Sequence, residues 1–421
     1  MSLPVLTNTP TRKASDVTLA KRQEQAAKLP WERLRDEATA SRRDSVEHME
    51  ELLAIFVRNA EAGGYRIVHA ADAAGACAAV VAEIGGTPGV VIKAKSMVTE
   101  EIGLRHHLER LAWRVFETDL GEWIVQERNE LPAHITGPAM HLSAAEIAAT
   151  LSRVLGRSLP ADPDALARAA TEFLGEPLRS ASVGISGANF LIADTGEVVV
   201  IENEGNAFFC TSAGKHVVVT GIDKVIRSRA ALPALLRMLT ISATGQPQTV
   251  YTHVLGRRGD GDAERTIVLV DNGRRALAAG EDAEAARCIR CGACMVACPV
   301  FRQASGHGYK TIYPGPIGIL VAPYLEPGRV PEDAPFYSTL CGACTDICPV
   351  RIPISDLIAR RRERLWREGN TPAGVRGAVG LWKRAQRDTA FGRALRPLLL
   401  AILRFPSLRR LVQLTRPRGR R

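Results

Sequence analysis

One stretch constrains this chain more than any other. It is Cys288-Ile-Arg-Cys291-Gly-Ala-Cys294-Met-Val-Ala-Cys298-Pro299, answered further on by Cys341-Gly-Ala-Cys344-Thr-Asp-Ile-Cys348-Pro349. Seven of the nine cysteines lie in these two motifs. The first motif has C-x2-C-x2-C-x3-C-P spacing, in which three closely spaced thiolates wrap three corners of one iron–sulfur cubane. The fourth cysteine precedes a proline, which biases it to extended backbone and turns its sulfur towards a second cluster.

By this rule a first cluster takes Cys288, Cys291, Cys294 and the distant Cys348. A second takes Cys298, Cys341 and Cys344, and is one thiolate short. In a full repeat the missing corner falls three residues before Cys341, at Ser338. The first site is therefore expected to hold [4Fe-4S]. The second is expected to hold either [3Fe-4S] or a [4Fe-4S] closed by a non-cysteine ligand such as the Ser338 hydroxyl. Zinc fits poorly, because seven cysteines over-supply a four-ligand site. Disulfides fit poorly too, because the set is odd-numbered and no secretory signal accompanies it.

A length of 421 residues allows two to three domains with ample core. No apolar run approaches the roughly 18 residues of a membrane span. The polar N-terminus lacks the apolar core of a signal peptide, so the cytoplasm is the expected compartment. The formal charge is +10, but residues 351–421 carry 19 Lys or Arg against four acids, which is +15 and leaves −5 for residues 1–350. Basicity here describes a tail and not a nucleic-acid-binding fold. Leu398, Leu399, Ile402, Phe405 and Leu408 beside arginines would suit a membrane-surface helix, but Pro406 interrupts it. Docking to an acidic partner is the better reading, with membrane contact at most peripheral.

Residues 1–20 read as a loose leader, and 29–43 as a charged helix. Asp44-Ser45-Val46-Glu47 has capping-box spacing, and Val46, Met49, Leu53 and Phe56 recur helically until Gly63-Gly64. The chain then alternates. Residues 65–69 read as a strand, 71–84 as a helix, 90–94 as a strand, and a helix capped by Thr99 follows. Strands at 113–117 and 122–126 and helices at 143–154 and 164–174 come next. Further strands fall at 190–193, 197–202, 216–220 and 266–270, the first two joined by the Asp194-Thr195-Gly196 turn. This interleaving predicts an α/β domain with a largely parallel sheet. An Ala-Glu helix leads into Cys288, with a boundary near Gly280. Beyond it, the 42 residues between Cys298 and Cys341 and an amphipathic helix over 354–366 predict an α-helical two-cluster ferredoxin. The expected division is a leader and helix (1–43), the α/β domain (44–279), the ferredoxin domain (280–366) and a basic helical tail (367–421).

Several motifs together resemble the lactate-utilisation protein B (LutB/YkgF-type) iron–sulfur family. They are Ile92-Lys-Ala-Lys-Ser-Met-Val-Thr-Glu-Glu-Ile-Gly103, Asp119-Leu-Gly-Glu-Trp-Ile-Val-Gln126, Pro132-Ala-His134 and Gly137-Pro-Ala-Met-His141. Gly184-Ile-Ser-Gly-Ala-Asn-Phe190, Glu202-Asn-Glu-Gly-Asn206, Tyr313-Pro-Gly-Pro-Ile317, Ser338-Thr-Leu-Cys341 and the two cysteine motifs complete the set. The resemblance implies an α/β LUD domain, similar in fold to the ribose-5-phosphate isomerase and CoA-transferase group, followed by the two-cluster ferredoxin. It further implies electron transfer in a complex that oxidises L-lactate to pyruvate with A-type and C-type partner proteins. Ser338 matches the family pattern.

Other candidates are weaker. Glu202 and Glu204 leave a strand among glycines, and a related carboxylate is the nucleophile in CoA-transferases. A polar loop is the ordinary alternative, and the more favoured one. Gly184-Ile-Ser-Gly187 precedes a strand and so lacks the context of a phosphate loop. Lys93 and Lys95 follow a strand end, where ligand sites gather, but surface charge explains them more simply. His106, His107, His134 and His141 lack matching carboxylate spacing for a metal. Cys77 and Cys210 read as buried free thiols. No flavin or nicotinamide fingerprint is present. The expected function is an electron-transfer subunit. The competing classes are an oxidoreductase whose LUD domain itself binds and oxidises an organic acid, and a redox sensor or assembly scaffold.

Overall fold

The computed structural model describes residues 8–259 and 263–386, with scattered positions between 389 and 401. Its described residues divide into two compact units, one of residues 8–330 and 338–358, the other including 331–337 and 359–386.

Three helices come first: α1 (Thr9–Ala26), α2 (Trp31–Glu47) and α3 (Met49–Ala62). The expected loose leader is thus corrected. From Asn8, whose side chain accepts the Thr11 amide, the chain is helical, and Pro10 sits in the first turn where its missing N–H costs nothing. The expected capping box at 44–47 is corrected as well. Asp44 lies inside α2, and its carboxylate accepts two hydrogen bonds from Arg227.

The chain then alternates through β1 (Arg66–Ala70), α4 (Ala73–Ile84), β2 (Val90–Lys93), α5 (Met97–Glu101), α6 (Leu104–Arg110) and β3 (Arg114–Glu117). Helix α5 starts from Ser96 and not Thr99, whose hydroxyl donates instead to the Ser96 carbonyl. Residues 122–126, expected as a strand, lie in α7 (Leu120–Arg128), which the Asp119 carboxylate caps by accepting the Glu122 amide. Helices α8 (Ala144–Leu155) and α9 (Pro163–Ser180) follow, α8 opened by a Ser143–Glu146 capping box.

Next come β4 (Val183–Ser186), β5 (Phe190–Ile192), β6 (Glu197–Glu202), α10 (Asn206–Ser212), β7 (Lys215–Gly221), β8 (Val225–Ile226), α11 (Leu232–Thr244), β9 (Tyr251–Leu255) and β10 (Glu264–Val270). Strands β1-β10-β7-β4-β2-β3 form a wholly parallel six-stranded sheet. A second sheet, β8-β5-β6-β9, contains the predicted β5–β6 hairpin.

Alternation along the parallel strands assigns each side chain to one of two cores. Ile92, Val218, Ile267 and Leu269 join α3 and the second sheet. Val91, Val217, Val219, Val268 and Val270 face α4 and α6. Both faces are covered, which is why these strands are continuous apolar runs. Each buried Val, Leu or Ile contributes about 1.5–3 kcal/mol. In β4, Gly184 passes so close to α10 that a Cβ would lie 2.2 Å from the Cys210 carbonyl oxygen, so the glycine serves packing.

After β10 the described chain is helical: α12 (Arg274–Ala279), α13 (Ala293–Val296), α14 (Phe301–Ala304), α15 (Gly315–Leu325), α16 (Ala343–Ile347), α17 (Ile354–Arg367) and α18 (Ala373–Gln386). In the smaller unit the Arg362 guanidinium lies over the Phe336 ring and donates to the Pro335 carbonyl. The tail positions Leu398, Leu399, Ile402, Phe405, Pro406 and Leu408 fall outside the residues whose side chains are described.

Candidate metal centre and adjoining cavity

The two cysteine motifs fold alike. Arg290 and Leu340, each just before a cysteine, take left-handed backbone (φ 60° and 55°). Gly292 and Gly342, each just after it, do so at 75° and 85° and open the short helices α13 and α16. These reversals wrap each loop inward. Non-glycine residues hold such φ values only where their surroundings enforce them.

Cys288, Cys291, Cys294 and Cys348 line one apolar cavity with Ile289, Ile317, Val350 and Ile352. Backbone amides of Arg290 and Ile352 donate to the sulfurs of Cys288 and Cys348 at 3.3 and 3.4 Å. Burial pushes the Cys291 thiol up, and the nearby Cys288 and Cys348 charges push it further. Iron removes that penalty, since a coordinating cation deprotonates its thiols. The donor set fits a cubane: four soft sulfurs, an apolar lining and amide donors aimed at sulfur. Three arginines add positive charge, Arg22 acting on Cys291 and Cys348, and Arg42 and Arg290 on Cys288.

Cys298, Cys341 and Cys344 form the second group: burial raises the Cys298 and Cys344 thiols, and the nearby Cys341 charge raises both further. Cys341 is exposed, the other two buried. The buried Tyr309 hydroxyl hydrogen-bonds the Cys298 side chain. The Ser338 hydroxyl oxygen accepts the Leu340 amide at 3.0 Å.

The N-terminal helices strap these loops from behind. Arg42 is 2% exposed and donates to four carbonyls: Asp223, Val225, Ala286 and Arg287. Arg35 donates to Asp346 and Cys348, and Arg22 to Ile347. His134, weighed above as a metal ligand, buttresses the first loop instead. Its Nδ1 accepts the Thr136 and Gly137 amides, while Nε2 faces the Gly292 carbonyl at 3.4 Å.

Beside the first cysteine loop lies a cavity of about 270 Å³, its walls polar and apolar in equal measure. Its walls bring together Lys95 and Ser96, Asp119, Asn189, Glu202 to Glu204, Lys224, Arg290 and Tyr313. Ile289 lines both cavities and separates them.

Residues 53–277 match the LUD domain, and residues 284–352 match the 4Fe-4S dicluster domain. "Uncharacterized electron transport protein YkgF" of Escherichia coli K12 is 42% identical over 309 residues, 70% of this chain and 65% of that protein. "Lactate utilization protein B" of Shouchella clausii is 40% identical over 342 residues, 79% of this chain and 72% of its own. The chain belongs to the lactate utilization protein B family. Its match to the Escherichia coli relative spans about two thirds of that protein's length. A solved DUF162-family structure from Deinococcus radiodurans covers 53% of this chain and 98% of its own at 15% identity, with a TM-score of 0.29.

In this family member the weaker candidates separate. Glu202 is buried and fully engaged, accepting the Ala207 and Phe208 amides at the start of α10 and facing His253 Nε2 at 2.6 Å. Glu204 opens on the cavity, with its pKa raised by burial and by Asp119. The surface reading of Lys93 is corrected. It is fully buried against Glu117 at 2.7 Å and Glu100 at 3.0 Å, whereas Lys95 reaches the cavity. His106 is exposed on α6. His141 meets Glu130 and His307, but Glu130 also pairs with Arg128, and His307 Nε2 bonds the Leu131 carbonyl. Cys77 and Cys210 are buried free thiols. Arg22, Arg35 and Arg42 had no local signal, since each acquires its role from a residue far away in sequence.

Proposed function

We propose that this chain is the iron–sulfur electron-transfer subunit of a complex that oxidises L-lactate to pyruvate. The observation that supports the reading is the folding of Cys288, Cys291, Cys294 and Cys348 around one apolar cavity, with Cys298, Cys341 and Cys344 gathered as a second group, within a matched dicluster domain. Cys288, Cys291, Cys294 and Cys348 would hold a [4Fe-4S] cluster. Cys298, Cys341 and Cys344 would hold a second, [4Fe-4S] if Ser338 or another group closes it and [3Fe-4S] otherwise. The lactate assignment is supported by the relatives' names. Assembly with A-type and C-type partner proteins is part of the proposal.

Bound clusters supply one-electron relay. The chain's own residues set the conditions for it: apolar walls exclude water, amides and the Tyr309 hydroxyl address the sulfurs, and Arg22, Arg42 and Arg290 offset negative charge. Among the described residues no helix is long and apolar enough to cross a membrane, and cytoplasmic placement belongs to this proposal. So does the division near Gly280 between a LUD domain with an isomerase- and CoA-transferase-like fold and the ferredoxin segment. Glu202 is proposed to be structural.

The test is iron quantitation with electron paramagnetic resonance on anaerobically purified protein, as isolated and after dithionite. About eight irons per chain with two interacting signals after reduction is the expected result. A three-iron signal in the oxidised sample would exclude Ser338 as a ligand while keeping the relay. Tightly bound zinc in place of iron would overturn the reading.

A further inference from the structure

We infer that the cavity beside the first cysteine loop binds a small organic acid through its carboxylate, seated on Arg290 and Lys224. Arg290 is 8% exposed, and neither of its terminal nitrogens has a hydrogen-bond partner. Its nearest acid, Asp223, stands 3.5 Å away with Oδ2, because Oδ1 is already engaged by Arg274 at 2.7 Å. Arg274 shows the contrast, since Glu101, Asp223 and the Asp271 carbonyl engage all three of its guanidinium nitrogens. A buried cation left without hydrogen bonds is costly, and a carboxylate is the group that matches its planar fork.

Arg290 borders this cavity, while the Cys288 charge also acts on it. It is absent from the walls of the cysteine cavity and is held by stacking on the Tyr313 ring at 4.9 Å. Lys224 adds a second cation on the same wall. Asp119 and Glu204 place negative charge in the same cavity, which disfavours a phosphate-rich ligand more than a singly charged acid. A volume of about 270 Å³ suits a small acid with ordered water and not a dinucleotide. Four stretches, around Lys95, Asp119, Asn189 and Glu204, converge here from separate parts of the chain.

The ligand sits one side chain from the first cysteine cavity, across Ile289, and the Arg290 amide donates to Cys288 Sγ. An anion on Arg290 offsets positive charge beside the cluster. It therefore binds the oxidised form more tightly and lowers that cluster's midpoint potential by the reciprocal amount. The choice of acid rests on the proposed function, but the site itself does not.

The test is equilibrium binding of radiolabelled L-lactate and pyruvate to the full-length, cluster-loaded protein, with inorganic phosphate as competitor and the midpoint potential followed in parallel. Saturable binding, weakened about 10- to 100-fold in Arg290→Gln and also weakened in Lys224→Gln, is the expected result. Lys224→Gln lies outside the cysteine motifs and serves if Arg290→Gln loses iron. No saturable binding of either acid, binding unchanged in Lys224→Gln, or phosphate binding more tightly than both acids would overturn the inference. Two reducible clusters without acid binding would sink it and leave the relay standing. Acid binding by a protein that never holds iron would do the reverse.

Discussion

Replacing Arg42 with methionine should cost this protein about 3–5 kcal/mol and selectively empty its first cluster. The guanidinium donates to the carbonyls of Asp223 at 2.7 Å, Val225 at 3.1 Å, and Ala286 and Arg287 at 3.2 Å each. Hydrogen bonds to a charged group contribute roughly 1.5–3 kcal/mol apiece, so four sum to roughly 6–12. Several kcal/mol of that are offset because the variant no longer buries a charge. The remainder matches the cost of removing one partner from a buried ion pair. The loss falls at one place, because Ala286 and Arg287 lead directly into Cys288. Thermal unfolding followed by circular dichroism should show a drop of roughly 5–10 °C, at about 2 °C per kcal/mol for a chain of this size. Iron should fall from about eight to about four per chain, with the second cluster's signal retained. Arg43→Met, on the exposed side of the same helix, should change neither quantity. An Arg42→Met protein with full iron and a midpoint within 2 °C of the parent would refute the reasoning.

Three other outcomes are expected. Burial lowers the His216 pKa from 6.5 to about 3, while Nε2 is hydrogen-bonded to the Ser186 hydroxyl at 2.8 Å. The unfolded chain thus takes up a proton below pH 6.5 that the folded chain refuses, and stability is lost as pH falls from 6.5 towards 3. The loss is about 2 kcal/mol by pH 5, and denaturant titrations at pH 7 and 5 should show it largely abolished in His216→Gln. Lys93→Met should cost about 3–5 kcal/mol at pH 8 by leaving Glu117 and Glu100 without their cation. Burial already raises Glu117 to about 7, so the penalty should shrink towards pH 5 as the carboxyl takes a proton; a pH-independent penalty would count against this account. Tyr309→Phe removes the hydroxyl bonded to Cys298 and should lower the second cluster's potential in a redox titration without loss of iron.

The gathering of Cys288, Cys291 and Cys294 was legible because their spacing is a local signal, and Cys348 joins them in one cavity as expected. The parallel sheet was legible for a similar reason, since Val217 to Val219 and Ile267 to Val270 form runs that need cover on both faces. Residues 122–126 failed because Trp123-Ile124-Val125 reads as a buried strand, and the Asp119 cap that makes it a helix is a single hydrogen bond. Helix α1 was missed because it buries Thr11 and Ser15 and presents no apolar stripe. Lys93 and Lys95, two positions apart, looked equivalent, yet one is sealed among carboxylates and the other opens on the cavity. The cavity was invisible for the same reason, because its walls come from positions between 94 and 313.

The strapping of the cysteine loops by α1 and α2 sets an order on biosynthesis. Arg22 waits for a carbonyl 325 residues downstream, and Arg42 for one 245 residues downstream. At roughly 5–20 residues per second, the first helices leave the ribosome on the order of 10–60 s before their acceptors exist. Each acceptor is made one residue before a cysteine of the first group, Arg287 before Cys288 and Ile347 before Cys348, so the straps can close as soon as the last of these cysteines exists. The chain's beginning thus closes over its end, and a cluster delivered late would meet a shut door.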